Sequence, residues 1–328
     1  MKTKLVYVIV SSSDDIYWEE GWVSAWSARY HNPDVQIALV CDKETLETAK
    51  KSYRAKSLVL FDETITVDFD QEISNKQRSR WIKTNLREYI RGDILFIDSD
   101  TVVADSLSEI DDWNFDIGMV CDNHSRSISP FVEKFYEKAY KQVFPVDMPY
   151  YNSGVMFVKD NEKTNAFFHQ WHQNWRGLGD VVEYTDQTPL ARTMTEYGHL
   201  ITEISGVYNC QISVSIKYLH QAKIIHSYHL WWHSYSTVSP FMQQTTYERI
   251  KEKQEIDEDL QQRILNCKAE FTEVSVPYNE EIWYFLASTT VRFVLLPLFF
   301  KKRKFFQRAD KIVHFICKTL YRFHIRLN

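Results

Sequence analysis

Glycine and proline are scarce in this chain, 8 of each among 328 residues, which excludes a loop-rich, collagenous or low-complexity protein. No self-similarity recurs at solenoid or propeller periods, so a repeat array is excluded as well. Cysteine is present but unorganised. Cys41, Cys121, Cys210, Cys267 and Cys317 are odd in number and scattered, without the spacing of a disulfide framework or a zinc site, so a reducing cytoplasm is expected. The N-terminus runs from Met-Lys-Thr-Lys through Leu5 to Val10 and then into three serines, too short and too quickly polar for a signal peptide. The apolar runs at 282–286 and 293–300 are interrupted and too short to span a bilayer.

What is present is material for a full core: 44% hydrophobic and 15% aromatic residues over a length that buries most of its apolar surface. The formal charge of −5 is unevenly spread. Residues 301–328 carry nine Lys or Arg against the single acid Asp310, which leaves an acidic body with a basic tail. Such a balance points to an anionic surface partner for the tail and away from nucleic acid as a partner of the whole protein.

Short apolar runs alternate with helical patterns through the first two thirds, the signature of βαβ units and hence of an α/β fold. Strands are expected at 5–11, 35–41, 57–61, 93–98, 116–121, 151–158 and 223–226. Trp18, Trp22, Ala25, Trp26 and Arg29 recur at helical spacing after a Ser-Ser-Ser-Asp-Asp start signal, and Phe167, Phe168, Trp171 and Trp175 mark a second helix over 162–176. Those aromatic stripes read as core. A first domain is placed at 1–240 and a helical connector with tail at 241–328.

The most informative stretch is Ile94-Leu-Phe-Ile-Asp98-Ser99-Asp100. An apolar run closed by two carboxylates one residue apart reads as a buried strand delivering both to its carboxyl end, where ligands of parallel sheets bind. Positions i and i+2 of extended chain point the same way, so both carboxylates can meet one hard divalent cation. The preceding helix carries a basic stripe at Lys76, Arg80, Lys83 and Arg87. Its N-terminal members reach the strand's far end, which favours Arg78, Arg80 and Lys83 over Arg87. Asn152-Ser153-Gly154 places an amide, a hydroxyl and a permissive glycine in another apolar run, suited to a polyhydroxylated ligand or to an ordinary turn. Asp186-Gln187-Thr188-Pro189 reads as a helix start with Asp186 as N-cap, and Lys223-Ile-Ile-His226 ends a strand in an imidazole.

Asp-Ser-Asp, Asn-Ser-Gly, Asp-Gln and a strand-end His, in this order, resemble the retaining glycosyltransferases that include glycogenin and the bacterial lipopolysaccharide glucosyl- and galactosyltransferases. The resemblance covers about residues 1 to 235. It implies a GT-A type fold, a Rossmann-like mixed sheet flanked by helices, that binds a nucleotide sugar, usually UDP-linked. It implies Mn2+ or Mg2+ held by Asp98, Asp100 and His226, with Ser99 between the two carboxylates. It places Lys83, with Arg80 or Arg78, beside the donor, Asn152, Ser153 and Gly154 against the donor, and Asp186 and Gln187 near the reacting carbon. Val10, Ser11 and Ser12, at the end of the first strand, and Asp42, after the second, would hold uracil and ribose. The family follows its His with Gly and then Lys-Pro-Trp, whereas here the run is His226-Ser-Tyr-His229-Leu-Trp231-Trp232-His233. Either His229 or His233 supplies the missing charge, or the phosphate clamp is weaker, or the branch is divergent with a donor other than UDP-glucose or UDP-galactose.

Two rivals compete with this reading. An apolar strand followed by Asp-x-Asp also describes haloacid-dehalogenase-type phosphatases, but that motif ends the first core strand, and here three strand candidates precede it. A non-catalytic membrane-bound scaffold of the same fold is the other. In the tail, Lys304, Arg308, Lys311, Lys318 and Arg322 fall on one side of a helix, with Phe305, Ile312, Val313, Ile316, Leu320 and Phe323 opposite, the pattern of an interfacial helix on an anionic membrane. The expectation is a metal-dependent hexosyltransferase, peripheral on the cytoplasmic face of the cell membrane. It would build lipopolysaccharide or capsule on a saccharide or lipid-linked acceptor.

Overall fold

The computed structural model describes residues 1–69, 73–126, 130–145, 147–178, 185–212, 216–227, 244–270 and 308. By its contacts the chain divides into two units, Met1–Glu273 and Val274–Asn328. The elements in chain order are β1 (Lys4–Val8), α1 (Tyr17–His31), β2 (Ile37–Asp42), α2 (Lys43–Lys50), β3 (Glu63–Val67), α3 (Asn75–Thr84), β4 (Ile94–Ile97), β5 (Thr101–Val103) and β6 (Ile117–Cys121). There follow α4 (Pro130–Tyr140), β7 (Tyr151–Val158), α5 (Glu162–Arg176), α6 (Gln187–Tyr197), β8 (Ile201–Glu203), β9 (Cys210–Gln211), β10 (Ile224–His226), α7 (Gln244–Lys253) and α8 (Glu258–Leu265).

Seven strands form one sheet in the order β3-β2-β1-β4-β7-β6-β8, and β5-β10-β9 form a second, small sheet. The large sheet is mixed: β1 through β4 run parallel, and β7 runs antiparallel to both of its neighbours, β4 and β6. Alternation at period two divides its side chains between two layers. Val6, Val8, Ile94, Phe96, Met156 and Val158 pack with α3, α5 and α6 on one face, while Leu5, Tyr7, Leu95, Ile97, Val155 and Phe157 pack with α1 on the other. Three of the four residues in the aromatic stripe of α5 are core, as expected: Phe167, Phe168 and Trp171 are fully buried, while Trp175 stays partly exposed.

Helix α1 is buried on nearly all sides because it lies between the two sheets. Trp18, Ala25 and Ala28 face the large sheet, and Trp22 and Val23 face the small one. A Cβ at Gly21 would stand 2.3 Å from Ile9 Cδ1, so glycine is what lets the helix approach this closely. The same second cluster takes in Tyr247, Ile250, Leu260 and Ile264 from α7 and α8. That corrects the boundary expected after residue 240: the compact unit continues to Glu273 because these four side chains complete a core begun by α1.

The strand expected at 57–61 is a 3-10 segment, Tyr53–Leu60. Ser52 caps it by accepting from the Arg54 N–H, and the Ser57 hydroxyl donates to the Arg54 carbonyl. Local hydroxyl-to-backbone bonds of this kind compete with a ladder. The true strand, β3, begins at Glu63 and reads as polar because it is a half-exposed edge. The basic tail lies outside the described residues except for Arg308.

Candidate functional site

Sheet geometry explains how residues far apart in sequence meet. Strand β4 ends at Ile97, and Asp98 turns out of the sheet with its N–H donating to the Gly154 carbonyl at 2.8 Å. Three residues on, β5 joins the small sheet antiparallel to β10, with His226 opposite Thr101. That register sets His226 directly beside Asp100. Its Nε2 lies 3.2 Å from Asp100 Oδ1, and donor atoms of Asp98, Asp100 and His226 fall within 4.8 Å of one another. Among the described residues this is the one group of three such side chains with that geometry.

A bulge shapes the neighbouring wall. Along β6 the partner in β7 jumps from Met156, opposite Met119, to Asn152, opposite Val120, so Ser153, Gly154 and Val155 arch away from β6 and are re-aimed. A Cβ at Gly154 would lie 2.2 Å from His226 Cε1, which reserves the space over this residue for the imidazole. Ser153 turns its hydroxyl to Asp186 Oδ2 at 2.9 Å.

Lys83 reaches the site from the last turn of α3 with only 2% of its side chain exposed. Its ammonium stands 3.0 Å from both oxygens of Asp98 and 2.8 Å from Asp186 Oδ2. Arg80 Nε lies 3.1 Å from Asp186 Oδ1 without being aligned for a hydrogen bond, so that contact is ionic. The N-cap role expected of Asp186 is not the one it plays: it occupies the position before α6 but caps nothing with its side chain. The carboxylate is drawn into the site by Lys83, Arg80 and Ser153, while its backbone carbonyl accepts from Trp171 Nε1 at 2.9 Å. Burial opposes its charge, yet Arg80 and Lys83 hold its carboxyl well below the usual carboxylate range. Asp98 moves the other way: burial raises it, Lys83 opposes, and the adjacent Asp100 charge adds to the rise. A carboxylate pair that resists joint ionisation is one a divalent cation relieves.

Arg78 does not join this group. Its Nη1 bonds Asp42 Oδ2 at 2.7 Å and Glu44 Oε2 at 2.6 Å, at a separate cleft of about 340 Å³ lined by Ser11, Ser12, Asp42, Thr45, Thr48 and Asn75 among others. Asp42 also caps α2, accepting from the Thr45 N–H at 2.8 Å. The loop after β1 is held from beneath by Arg54, which donates to the Ser12 and Asp15 carbonyls and is itself paired with the buried Glu19. Arg87 points elsewhere, to Asp160 and Asn165. Ser99 lies between the two carboxylates of the acidic motif, half-buried. Val10 is buried at the end of β1, and His229 falls outside the described residues.

Three polar residues of the site were missed by sequence reasoning: Asp122, Asn209 and Gln211. Asp122 follows β6 as Asp98 follows β4, and that apolar-run-then-acid pattern was its available signal. It accepts from Asn152 Nδ2 at 2.9 Å and from the Gln187 side chain, and burial raises its carboxyl despite those two bonds. The two residues after it, Asn123 and His124, both have positive φ, 55° and 51°. That left-handed pair costs about 1–3 kcal/mol per residue and is tied down by Gln211, whose Oε1 accepts from the Asn123 N–H at 2.7 Å and whose N–H donates to His124 Nε2 at 3.0 Å. Asn209 and Gln211 have no sequence signal, because the short 3-10 segment Gly206–Asn209 and the two-residue strand β9 after it have no readable period.

The sequence model of the family described as Glycosyl transferase family 8 matches residues 8–233. Among solved structures, mouse xyloside xylosyltransferase 1 in its apo form is 14% identical, with 69% of this chain and 97% of that chain covered and a TM-score of 0.47. The galactosyltransferase LgtC in complex with donor and acceptor sugar analogs is 16% identical, with 80% and 100% covered and a TM-score of 0.47. The glycosyltransferase GlyE of Streptococcus pneumoniae TIGR4 is 15% identical, with 81% and 62% covered and a TM-score of 0.49. No curated protein sequence matches the chain.

Proposed function

The chain belongs to glycosyltransferase family 8, and from that premise we propose that it transfers a hexose from a UDP-linked donor to a saccharide or lipid-linked acceptor. The transfer would retain the anomeric configuration and serve lipopolysaccharide or capsule synthesis. The observation that carries the reading is the convergence of Asp98, Asp100 and His226 at strand ends, with Lys83 and Arg80 on the adjoining wall.

The donor set fits a hard divalent cation. Two carboxylates and one imidazole, completed by phosphate and water oxygens, suit Mn2+ or Mg2+ better than Zn2+. A cation bound there supplies Lewis acidity toward the departing nucleoside diphosphate. The remaining work belongs to the chain. Lys83 and Arg80 are fixed in place by Asp186, so their positive charge is oriented before the leaving group's charge develops. Both oxygens of Asp186 are engaged by Arg80, Lys83 and Ser153, which suits a residue that holds two cations and borders the sugar more than one that attacks carbon. Gln187, bonded to Asp122, stands beside it as the other residue assigned to the reacting centre. Asn152, Ser153 and Gly154 form the donor's wall, and the cleft at Ser11, Ser12 and Asp42 takes the nucleoside, with Arg78 closing its rim. Val10, His229 and the motif's Ser99 complete the proposed donor contacts.

The basic segment 301–328 is proposed to rest on anionic headgroups, each basic residue contributing about 1 kcal/mol near the surface. Among the described residues no helix is long and apolar enough to cross a membrane.

The test is a thermal-shift and donor-hydrolysis panel of nucleotide sugars with Mn2+ and with EDTA. UDP and one UDP-hexose should stabilise the protein only with metal, and Asp98→Ala should abolish transfer with the fold intact. Phosphoester hydrolysis without any nucleotide preference would overturn the reading in favour of a phosphatase. Transfer surviving Asp98→Ala would overturn the assignment of the metal site.

A further inference from the structure

A chain of hydrogen bonds behind His226 has a polarity that can be read from one end. The Gly154 backbone N–H can only donate, and it lies 2.9 Å from Asn152 Oδ1, so that oxygen is an acceptor and the amide's nitrogen faces Asp122, as observed at 2.9 Å. The same Asn152 oxygen takes a second bond, from Asn209 Nδ2 at 2.9 Å. Asn209 must therefore turn its own Oδ1 the other way, and that oxygen lies 2.9 Å from His226 Nδ1. An amide oxygen accepts and cannot donate, so Nδ1 must carry the hydrogen. All four members are buried or nearly so: Asn209 has no exposed surface, His226 is 3% exposed and Asn152 is 5% exposed. Neither amide can flip without setting like poles against each other in a dry interior.

We propose that Asn209 is a positioning residue that fixes the Nδ1–H tautomer of His226, leaving Nε2 as an electron-pair donor toward the space shared with Asp98 and Asp100. The inference rests on the metal reading above for its purpose, though not for its geometry. Nε2 stands 3.2 Å from Asp100 Oδ1. With the hydrogen held on Nδ1, lone pairs of nitrogen and carboxylate face each other, an arrangement that a cation between them makes favourable. Partners of ligating histidines act in this way, orienting the ring and raising its basicity. Asn209 touches neither sugar nor phosphate in this scheme. Gly154 contributes at both ends, its N–H starting the chain and its missing Cβ leaving room for the ring.

Long-range 1H–15N correlation spectra of the metal-free full-length protein, taken at about pH 8, above the ordinary imidazole range, read the tautomer directly. The expected result is Nδ1–H at His226 in the wild type and its loss in Asn209→Leu. In parallel, Mn2+ affinity followed by electron paramagnetic resonance should fall about 10- to 100-fold in Asn209→Leu, the range seen when such partners are removed. Asn209→Asp still offers an acceptor to Nδ1 but gives up the donation to Asn152 Oδ1, so it should keep the tautomer and retain more Mn2+ affinity than the leucine variant, a distinction that a merely structural role would not produce. An Nε2–H tautomer in the wild type overturns the proposal even if the leucine variant fails to fold. Equal loss in the Leu and Asp variants, or no loss in either, overturns it as well. Failure of the wild type to bind Mn2+ sinks the metal reading instead, and the spectrum still decides the role of Asn209.

Discussion

At the scale of single residues, the site is governed by two demands: room for an imidazole and neutralisation of buried acids. Gly154→Ala tests the first. Its new methyl would meet His226 Cε1 at 2.2 Å and Nδ1 at 2.8 Å, and the ring rather than the sheet would give way. The expected outcome is a 10- to 100-fold loss of Mn2+ affinity with a stability cost of about 1–3 kcal/mol from overpacking, checked by metal titration beside a urea melt. Lys83→Met tests the second. It leaves Asp98 and Asp186 without the ammonium that both contact, and removing one partner of a buried pair costs on the order of 3 kcal/mol. The sign with pH follows from Asp186, whose folded carboxyl is depressed. That stabilisation is fully present above the unfolded carboxylate range, near pH 4, and is lost as pH falls below it. The variant's deficit should therefore be large in urea melts at pH 7 and shrink at pH 3. A deficit independent of pH would mean that lost packing, not charge, dominates.

At the scale of elements, the contact between α3 and α5 offers a cleaner titration, away from the site. His172 of α5 is buried against the ring edges of Trp81 and stacked on Trp175, with Nδ1 2.9 Å from Thr84 Oγ1. Burial, and then the Arg176 charge nearby, push its pKa down to about 4. A depressed imidazole stays neutral in the folded protein while the unfolded chain takes up a proton, so stability falls as pH drops from 6.5 toward 4 and the loss is complete below that window. Thermal melts across the window should show His172→Gln losing less stability than the wild type, by on the order of 2 kcal/mol at its lower end. Parallel curves would show the ring protonated within the fold. Elements also show what sequence could and could not disclose. The strands buried on both faces, β1, β2, β4 and β7, were legible as apolar runs, and α5 as an aromatic stripe, because burial imposes composition. The segment 57–61 misled because Leu58 and Leu60 tuck under the fold while hydroxyls turn the backbone into a 3-10 segment. In the site, Asp98, Asp100 and His226 were legible as strand ends. Asp186 was legible in position but not in direction, since nothing local tells a capping carboxylate from one recruited by Lys83, 103 residues earlier in the chain. Asn209 was invisible, because its role exists only in the register of β9 on β10.

At the scale of the molecule, the question is where the folded unit ends. The family match stops at residue 233, yet α7 and α8 lie beyond it and belong to the compact unit. Tyr247, Ile250, Leu260 and Ile264 are each at most 1% exposed and pack in one cluster with Trp22 and Val23 of α1, Val102 of β5, Cys210 of β9 and Ile225 of β10. At about 1.5–3 kcal/mol for each large apolar side chain buried, four such residues contribute roughly 6–12 kcal/mol, comparable to the entire net stability of a typical domain. The residues they cover belong to the small sheet that carries His226 to Asp100, so a chain cut after residue 240 would expose the very layer on which the site's register depends. Two lysines add local ties: Lys251 Nζ donates to the Ser13 carbonyl in the loop after β1, beside the cleft lined by Ser11, Ser12 and Asp42, and Lys56 Nζ, from the 3-10 segment, donates to the Gln254 carbonyl just after α7. Truncation after Glu273 should therefore yield a cooperatively folding protein that binds UDP with Mn2+ as the full chain does, while truncation after residue 240 should aggregate or melt far lower. Sedimentation with anionic vesicles separates the basic tail's contribution from the body's: the full chain should bind in a salt-sensitive manner and the 1–273 protein should not. Equal stability of the two truncations would place α7 and α8 outside the folding unit, and vesicle binding retained by 1–273 would move the membrane contact onto the catalytic body.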